Sequence, residues 1–158
     1  DAPYHFEESG ITIDQIPLDS LIGNATVFDI KNKEKIDLDD LKSLELQNCE
    51  RVIFKTRNST CWKFSEFKKD FVYITKEAAK YLADSTVKLV RIDSLSVDKF
   101  DNIYADAHHI LLGKGIIIIE GLDLNNVKAG EYELIALPLK IKDGDGSPSR
   151  VVLRNRVC

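Results

Sequence analysis

A chain of 158 residues, 44% of them apolar, is long enough to bury one core, and nothing in its length calls for more than a single domain over residues 1–158. The net charge of -4, with lysines and acids interspersed, leaves no basic stripe for nucleic acid and no acidic tail. The longest unbroken apolar run, residues 115–119, is far shorter than the roughly 20 residues a membrane span needs, so no membrane role is expected.

In chain order, DAPYHF at residues 1–6 comes first. Pro3 fixes its own φ and biases Ala2 toward extended backbone, so Asp1 and His5 are not a helical i, i+4 pair; the segment is extended or turned, with both side chains aimed. Period-2 and wholly apolar runs predict strands over residues 26–30 (TVFDI), 52–56 (VIFKT), 87–92 (VKLVRI), 116–119 (IIII), 132–137 (YELIAL) and 151–153. Helical spacing falls between them: over 38–46 with leucines at 38, 41 and 44, over 75–83 with Thr75 as N-cap, and over 107–112, ended by Gly113. The mixture predicts an α/β fold in which a mixed sheet is flanked by helices. The four isoleucines at 116–119 have no polar alternation, as expected of a strand covered on both faces, and this strand is expected at the centre of the sheet. Residues 142–150 (KDGDGSPSR) read as a loop between two strands; the DGDG within it lacks the later acidic ligands of a calcium loop and reads as a tight turn. Cys49, Cys61 and Cys158 are odd in number and form no CxxC pair, which fits passive thiols in a reducing, cytoplasmic setting.

The chemistry gathers on few residues. The histidines are His5, His108 and His109, and the last two are adjacent on a short apolar helix, where neighbouring side chains point about 100° apart, so one of them at most faces a given site. Glu120 ends the isoleucine strand, and a carboxylate there must be paired, protonated or metal-bound, because an isolated buried charge is too costly. In open α/β sheets that strand end is where ligands bind. Oxygen and imidazole ligands from Asp, His and Glu suit zinc, manganese or iron, and three of them with an open position form the pattern of a hydrolytic site. There is no G-x-S-x-G elbow for a serine nucleophile and no phosphate-binding glycine fingerprint; GKG at 113–115 is a helix stop followed by a strand.

DAPYHF, GITIDQIPL at 10–18, RIDSLSVDKF at 91–100, HHILLGKGIIIIEGLDL at 108–124 and GEYELIALPLKIKDGDGSPSRVVL at 130–153 together resemble the cyclase family of metal-dependent hydrolases, which contains bacterial kynurenine formamidase and isatin hydrolase. The resemblance runs from Asp1 to Leu153. It implies a swivelling β/β/α fold, a homodimer and hydrolysis of an amide, N-formylkynurenine being the leading substrate and a cyclic amide of the isatin type the alternative. The family signature is His-x-Gly-Thr-His-x-Asp-x-Pro-x-His-Phe, of which Asp1, Pro3, His5 and Phe6 match the second half. Its two earlier histidines have no counterpart from Asp1 onward, which implies either a longer protein or a remnant that keeps the fold as a binding scaffold. The resemblance assigns a divalent metal, zinc or manganese, to Asp1, His108 and Glu120, and the role of general base and proton shuttle to His5; His109 falls on a variable position. Phe6, Trp62 and Phe64 are the aromatic candidates for facing an aryl substrate.

Overall fold

The pairing of the apolar strands decides where the candidate residues meet. The computed structural model describes residues 1–64 and 66–155, so Cys158 lies outside the described residues. After 3-10 turns at Pro3–His5 and Ile13–Gln15 come α1 (Leu18–Leu21), β1 (Ile22–Asp29), β2 (Lys35–Ile36), α2 (Leu38–Lys42) and β3 (Arg51–Lys55). A 3-10 helix (Arg57–Lys63), β4 (Tyr73–Ile74), α3 (Lys76–Ala83), β5 (Leu89–Ile92), α4 (Asp106–Gly113), β6 (Ile117–Ile119), β7 (Gly130–Pro138) and β8 (Ser149–Asn155) follow. Six strands make a mixed sheet in the order β6-β5-β3-β1-β7-β8; the first four are parallel, and β7 and β8 run antiparallel. The two short strands β2 and β4 pair separately.

Strand alternation divides the core in two. Val52, Phe54, Val90, Ile92 and Ile118 point to one face, where Leu41 of α2, Ala78 and Leu82 of α3, and Leu111 of α4 cover them. Ile53, Leu89 and Ile117 point to the other, against Ile13, Leu21, Leu124 and Leu134. Each parallel crossover carries a helix on the first face, so truncating a fully buried side chain such as Leu82 to Ala would cost about 2–5 kcal/mol. Helix starts follow their caps. The Thr75 side chain accepts from the Ala78 N–H at 3.3 Å, and Asp37 and Asp40 exchange side-chain to backbone bonds at the start of α2.

Two sequence expectations need correction, and two short strands had no sequence signal. The isoleucine strand is not central: β6 ends the sheet, and it is buried because α4 covers Ile118 while Leu124 and the segment around it fold back over Ile117. Its outer side is met by Asp1, whose backbone nitrogen donates to the Ile118 carbonyl at 2.6 Å. The helix expected over 38–46 stops at Lys42, because Ser43 closes it, its N–H and its hydroxyl both donating back to the Asp40 carbonyl, the hydroxyl at 2.6 Å. The strands β2 and β4, of two residues each, carry no periodicity for a sequence pattern to detect.

The loop between β7 and β8 reaches back across the molecule. Ala2 N–H donates to the Asp145 carbonyl at 2.9 Å, Ile13 N–H to the Gly144 carbonyl at 2.8 Å, and Asp143 N–H to Asp14 Oδ1 at 3.1 Å. The segment bearing Asp1 and His5 is thus clamped between the β6 edge and this loop.

Candidate active site

Pro3 opens the turn at Pro3–His5, so the chain turns immediately after Ala2, which is still extended at φ -82° and ψ 158°. Asp1 therefore lies along β6 while His5 is swung toward the β7–β8 loop. On the other side α4 supplies His108. Its N-cap is Ala105, a left-handed residue with φ 43° and no side chain to bond the first turn. Asp98, from the loop after β5, takes over the cap: Oδ1 accepts from Ala107 N–H at 3.0 Å and Oδ2 from His108 N–H at 3.1 Å. The same Oδ2 lies 2.6 Å from His108 Nδ1, so one carboxylate fixes both the helix start and the imidazole.

His108 is 7% exposed, and its Nε2 faces Glu120 Oε1 at 3.2 Å and Asp1 Oδ2 at 3.6 Å. Glu120 is itself held, because Val97 N–H donates to its Oε1 at 2.7 Å. One ligand atom from each of Asp1, His108 and Glu120 lies within 4.8 Å of the others. Three of the four predicted residues thus converge, and the fourth is a neighbour: the rings of His5 and His108 are 6.3 Å apart, with Phe6 stacked on His108 at 4.8 Å. His109 points elsewhere, to Glu7 Oε1 at 3.2 Å, as expected for adjacent helical positions.

The electrostatics test whether a metal fits. Burial alone would lower the pKa of His108, but its bonds to Asp98 and Glu120 and their charges push it up to about 9. Burial likewise opposes ionisation of Asp98, yet the bonds from the His108 ring and from the Ala107 and His108 backbone hold its carboxyl below the usual range. Three carboxylates surround one imidazole, and the arrangement calls for positive charge. With Nδ1 donating to Asp98, Nε2 is the nitrogen that faces Asp1 and Glu120, and a carboxylate behind a histidine is the usual orienting partner of a metal ligand. Asp, His and Glu donors converging on one point fit a borderline divalent ion.

His5 has a different companion. Its Nδ1 lies 2.7 Å from Asp145 Oδ2, and the His5 bond holds the Asp145 carboxyl below its usual range. The sequence offers no histidine-holding role for Asp98 or for Asp145, which lies in the DGDG turn: each is a loop carboxylate joined to its histidine only by the fold. Of the aromatic candidates, Phe6 walls His108, and Trp62 donates from Nε1 to the Leu122 carbonyl at 2.9 Å, with its ring 3.8 Å from where a Cβ on Gly121 would sit. Phe64 is exposed. A cleft of about 340 Å³ opens beside His108, with Phe6, Phe67, Phe71, Leu95 and Phe100 in its walls. Cys49 and Cys61 are free thiols outside this cluster.

The chain as a whole is similar to known proteins. A family model described as putative cyclase matches residues 1–99. A kynurenine formamidase of Salinibacter ruber is 43% identical over 156 residues, covering 98% of this chain and 73% of that protein. A solved structure described as a potential metal-dependent hydrolase with cyclase activity superposes with a TM-score of 0.91 at 38% identity, covering 100% of this chain and 77% of the other. Isatin hydrolase A from Labrenzia aggregata shares the fold, with a TM-score of 0.81 at 23% identity over 99% of this chain and 72% of its own.

Proposed function

The chain belongs to the cyclase family, and on that premise we propose that it hydrolyses the amide bond of an aryl formamide, N-formylkynurenine foremost, to formate and an arylamine. The observation that carries this reading is the convergence of Asp1, His108 and Glu120, backed by Asp98 and with His5 alongside. Those three residues would hold a divalent ion, zinc or manganese, which when bound polarises a carbonyl and makes a water acidic near neutral pH.

The chain's own groups do the rest. Val97 N–H and Asp98 keep Glu120 and His108 aimed at one point. His5, an imidazole beside the cluster, takes a proton from the attacking water at Nε2 and returns it to the departing nitrogen. The water oxygen bonds to the formyl carbon, the carbon–nitrogen bond breaks, and formate and the amine leave. The aromatic cleft beside His108 offers an apolar wall for the aryl ring, which favours an arylamide over an aliphatic one. The family resemblance supports a homodimer, the odd and widely spaced cysteines support a cytoplasmic setting, and the length of the chain supports one domain.

Formate release from N-formylkynurenine, measured with metal added and again after chelation, tests the reading. Metal-dependent release together with one or two zinc or manganese ions per chain is the expected result. Ring opening of isatin with no formate release would reassign the substrate to a cyclic amide, and neither activity in metal-loaded protein would leave a scaffold.

A further inference from the structure

The loop that the sequence presents as a tight turn does more than reverse the chain. We propose that Asp145 is the positioning residue of His5, fixing the tautomer in which Nδ1 carries the proton and Nε2 is free to exchange protons at the site; this rests on the proton-shuttle role given to His5 above.

The geometry is direct. Asp145 Oδ2 lies 2.7 Å from His5 Nδ1, and an ionised carboxylate can only accept, so the proton between them sits on the imidazole. With Nδ1 committed, Nε2 is the remaining basic atom of the ring. The contact is long-range, between the first turn of the chain and the β7–β8 connection, and a mobile surface loop would not keep it. Here the loop is bound to the catalytic segment by the Ala2 to Asp145, Ile13 to Gly144 and Asp143 to Asp14 bonds.

Glycines on either side of Asp145 permit this approach. A Cβ on Gly144 would come within 3.1 Å of Ile13 Cγ2, and one on Gly146 within 3.3 Å of Asp1 Oδ1, both tighter than ordinary contact. The loop therefore passes against the segment where only small residues fit and presents the one carboxylate between them to His5. The arrangement parallels that of Asp98 and His108: each histidine is held at Nδ1 by a carboxylate from a loop, leaving Nε2 directed elsewhere. Asp145 is more exposed than Asp98, so its influence is on orientation and tautomer and is weaker than that of a buried pair.

Nitrogen-15 NMR of the imidazoles separates this role from a structural one, since the chain has three histidines to assign. In the unaltered protein His5 is expected in the Nδ1–H form, and in Asp145→Ala it should shift toward Nε2–H while the melting temperature stays within about 2 °C. Turnover of the metal-loaded protein should fall roughly 10-fold in Asp145→Ala, less in Asp145→Asn, with KM held within about twofold, and His5→Ala should lose roughly 10²-fold. In a His5→Ala background the Asp145 substitution should add nothing further. An unchanged His5 tautomer, or a loss that persists in the His5→Ala background, overturns the proposal. Full turnover in His5→Ala would instead overturn the shuttle role itself, so the two failures are told apart.

Discussion

Asp93 and Asp98 are buried carboxylates at the same end of β5, and they live in opposite company. The two oxygens of Asp93 receive four hydrogen bonds, from the backbone N–H and hydroxyl of Thr56 and from those of Ser59, at 2.7–3.0 Å. Ser59 Oγ in turn accepts from Leu124 N–H at 3.1 Å, so one knot ties β3, the 3-10 helix after it and the segment beyond Glu120. Every acceptor there meets a neutral donor, and the knot is closed. Asp98 also receives four hydrogen bonds, from Asn102 Nδ2, the Ala107 and His108 N–H groups and the His108 ring, but that ring's other nitrogen faces two further carboxylates, Glu120 and Asp1, so three carboxylates gather on one imidazole. A closed polar knot marks structure, and a deficit of positive charge marks a place for a ligand.

Substitutions can break that contrast. The largest effect expected is from Asp93→Asn, which turns one acceptor into a donor facing donors; it should destabilise the fold by about 3 kcal/mol and lower the melting temperature by roughly 6–12 °C in thermal unfolding. A drop below about 1 kcal/mol would mean that the knot is not essential. Next, zinc or manganese at about 100 times its Kd should raise the unfolding free energy by about 2.7 kcal/mol. Glu120→Gln should abolish most of that gain, and an undiminished gain would remove Glu120 from the ligand set. Asp98→Asn should weaken metal binding roughly 10–100-fold, or about 1.4–2.7 kcal/mol, in a competition titration against a chromophoric chelator. Unchanged affinity would place Asp98 with Asp93, as structure.

The smallest effect is expected at Arg91, just before the knot. It is fully buried, its guanidinium has no hydrogen-bond partner among the described residues, and burial pushes its pKa down to about 9. Arg91→Met should therefore stabilise the chain, by about 1–2 kcal/mol in urea unfolding, since it removes an uncompensated buried charge. Destabilisation would show that the guanidinium is satisfied.

Much of the fold was legible because the main strands and α3 carry their own signals: the Thr75 cap, the apolar run from Val52 to Phe54, and the unbroken isoleucines of β6. The place of β6 at the end of the sheet was not legible, since a strand covered by α4 and by a folded-back segment has the same composition as a central one. The leucines at 41 and 44 kept helical spacing beyond the point where α2 stops, because spacing does not register Ser43 closing the helix. In the candidate site, Asp1, His5, His108 and Glu120 could be singled out from the family signature and from the chemistry of their side chains, and the fold brings them together. Asp98 and Asp145 were not, because a carboxylate that acts by touching a distant histidine leaves no local pattern.

Trp62 is the single tryptophan of the chain, and its indole rests on the residues that follow Glu120. Near-ultraviolet excitation of the protein therefore interrogates one ring hung from the Leu122 carbonyl, and any event that displaces that segment will alter its emission colour or its quenching. The molecule carries an optical gauge at the threshold of its own site, readable without a label.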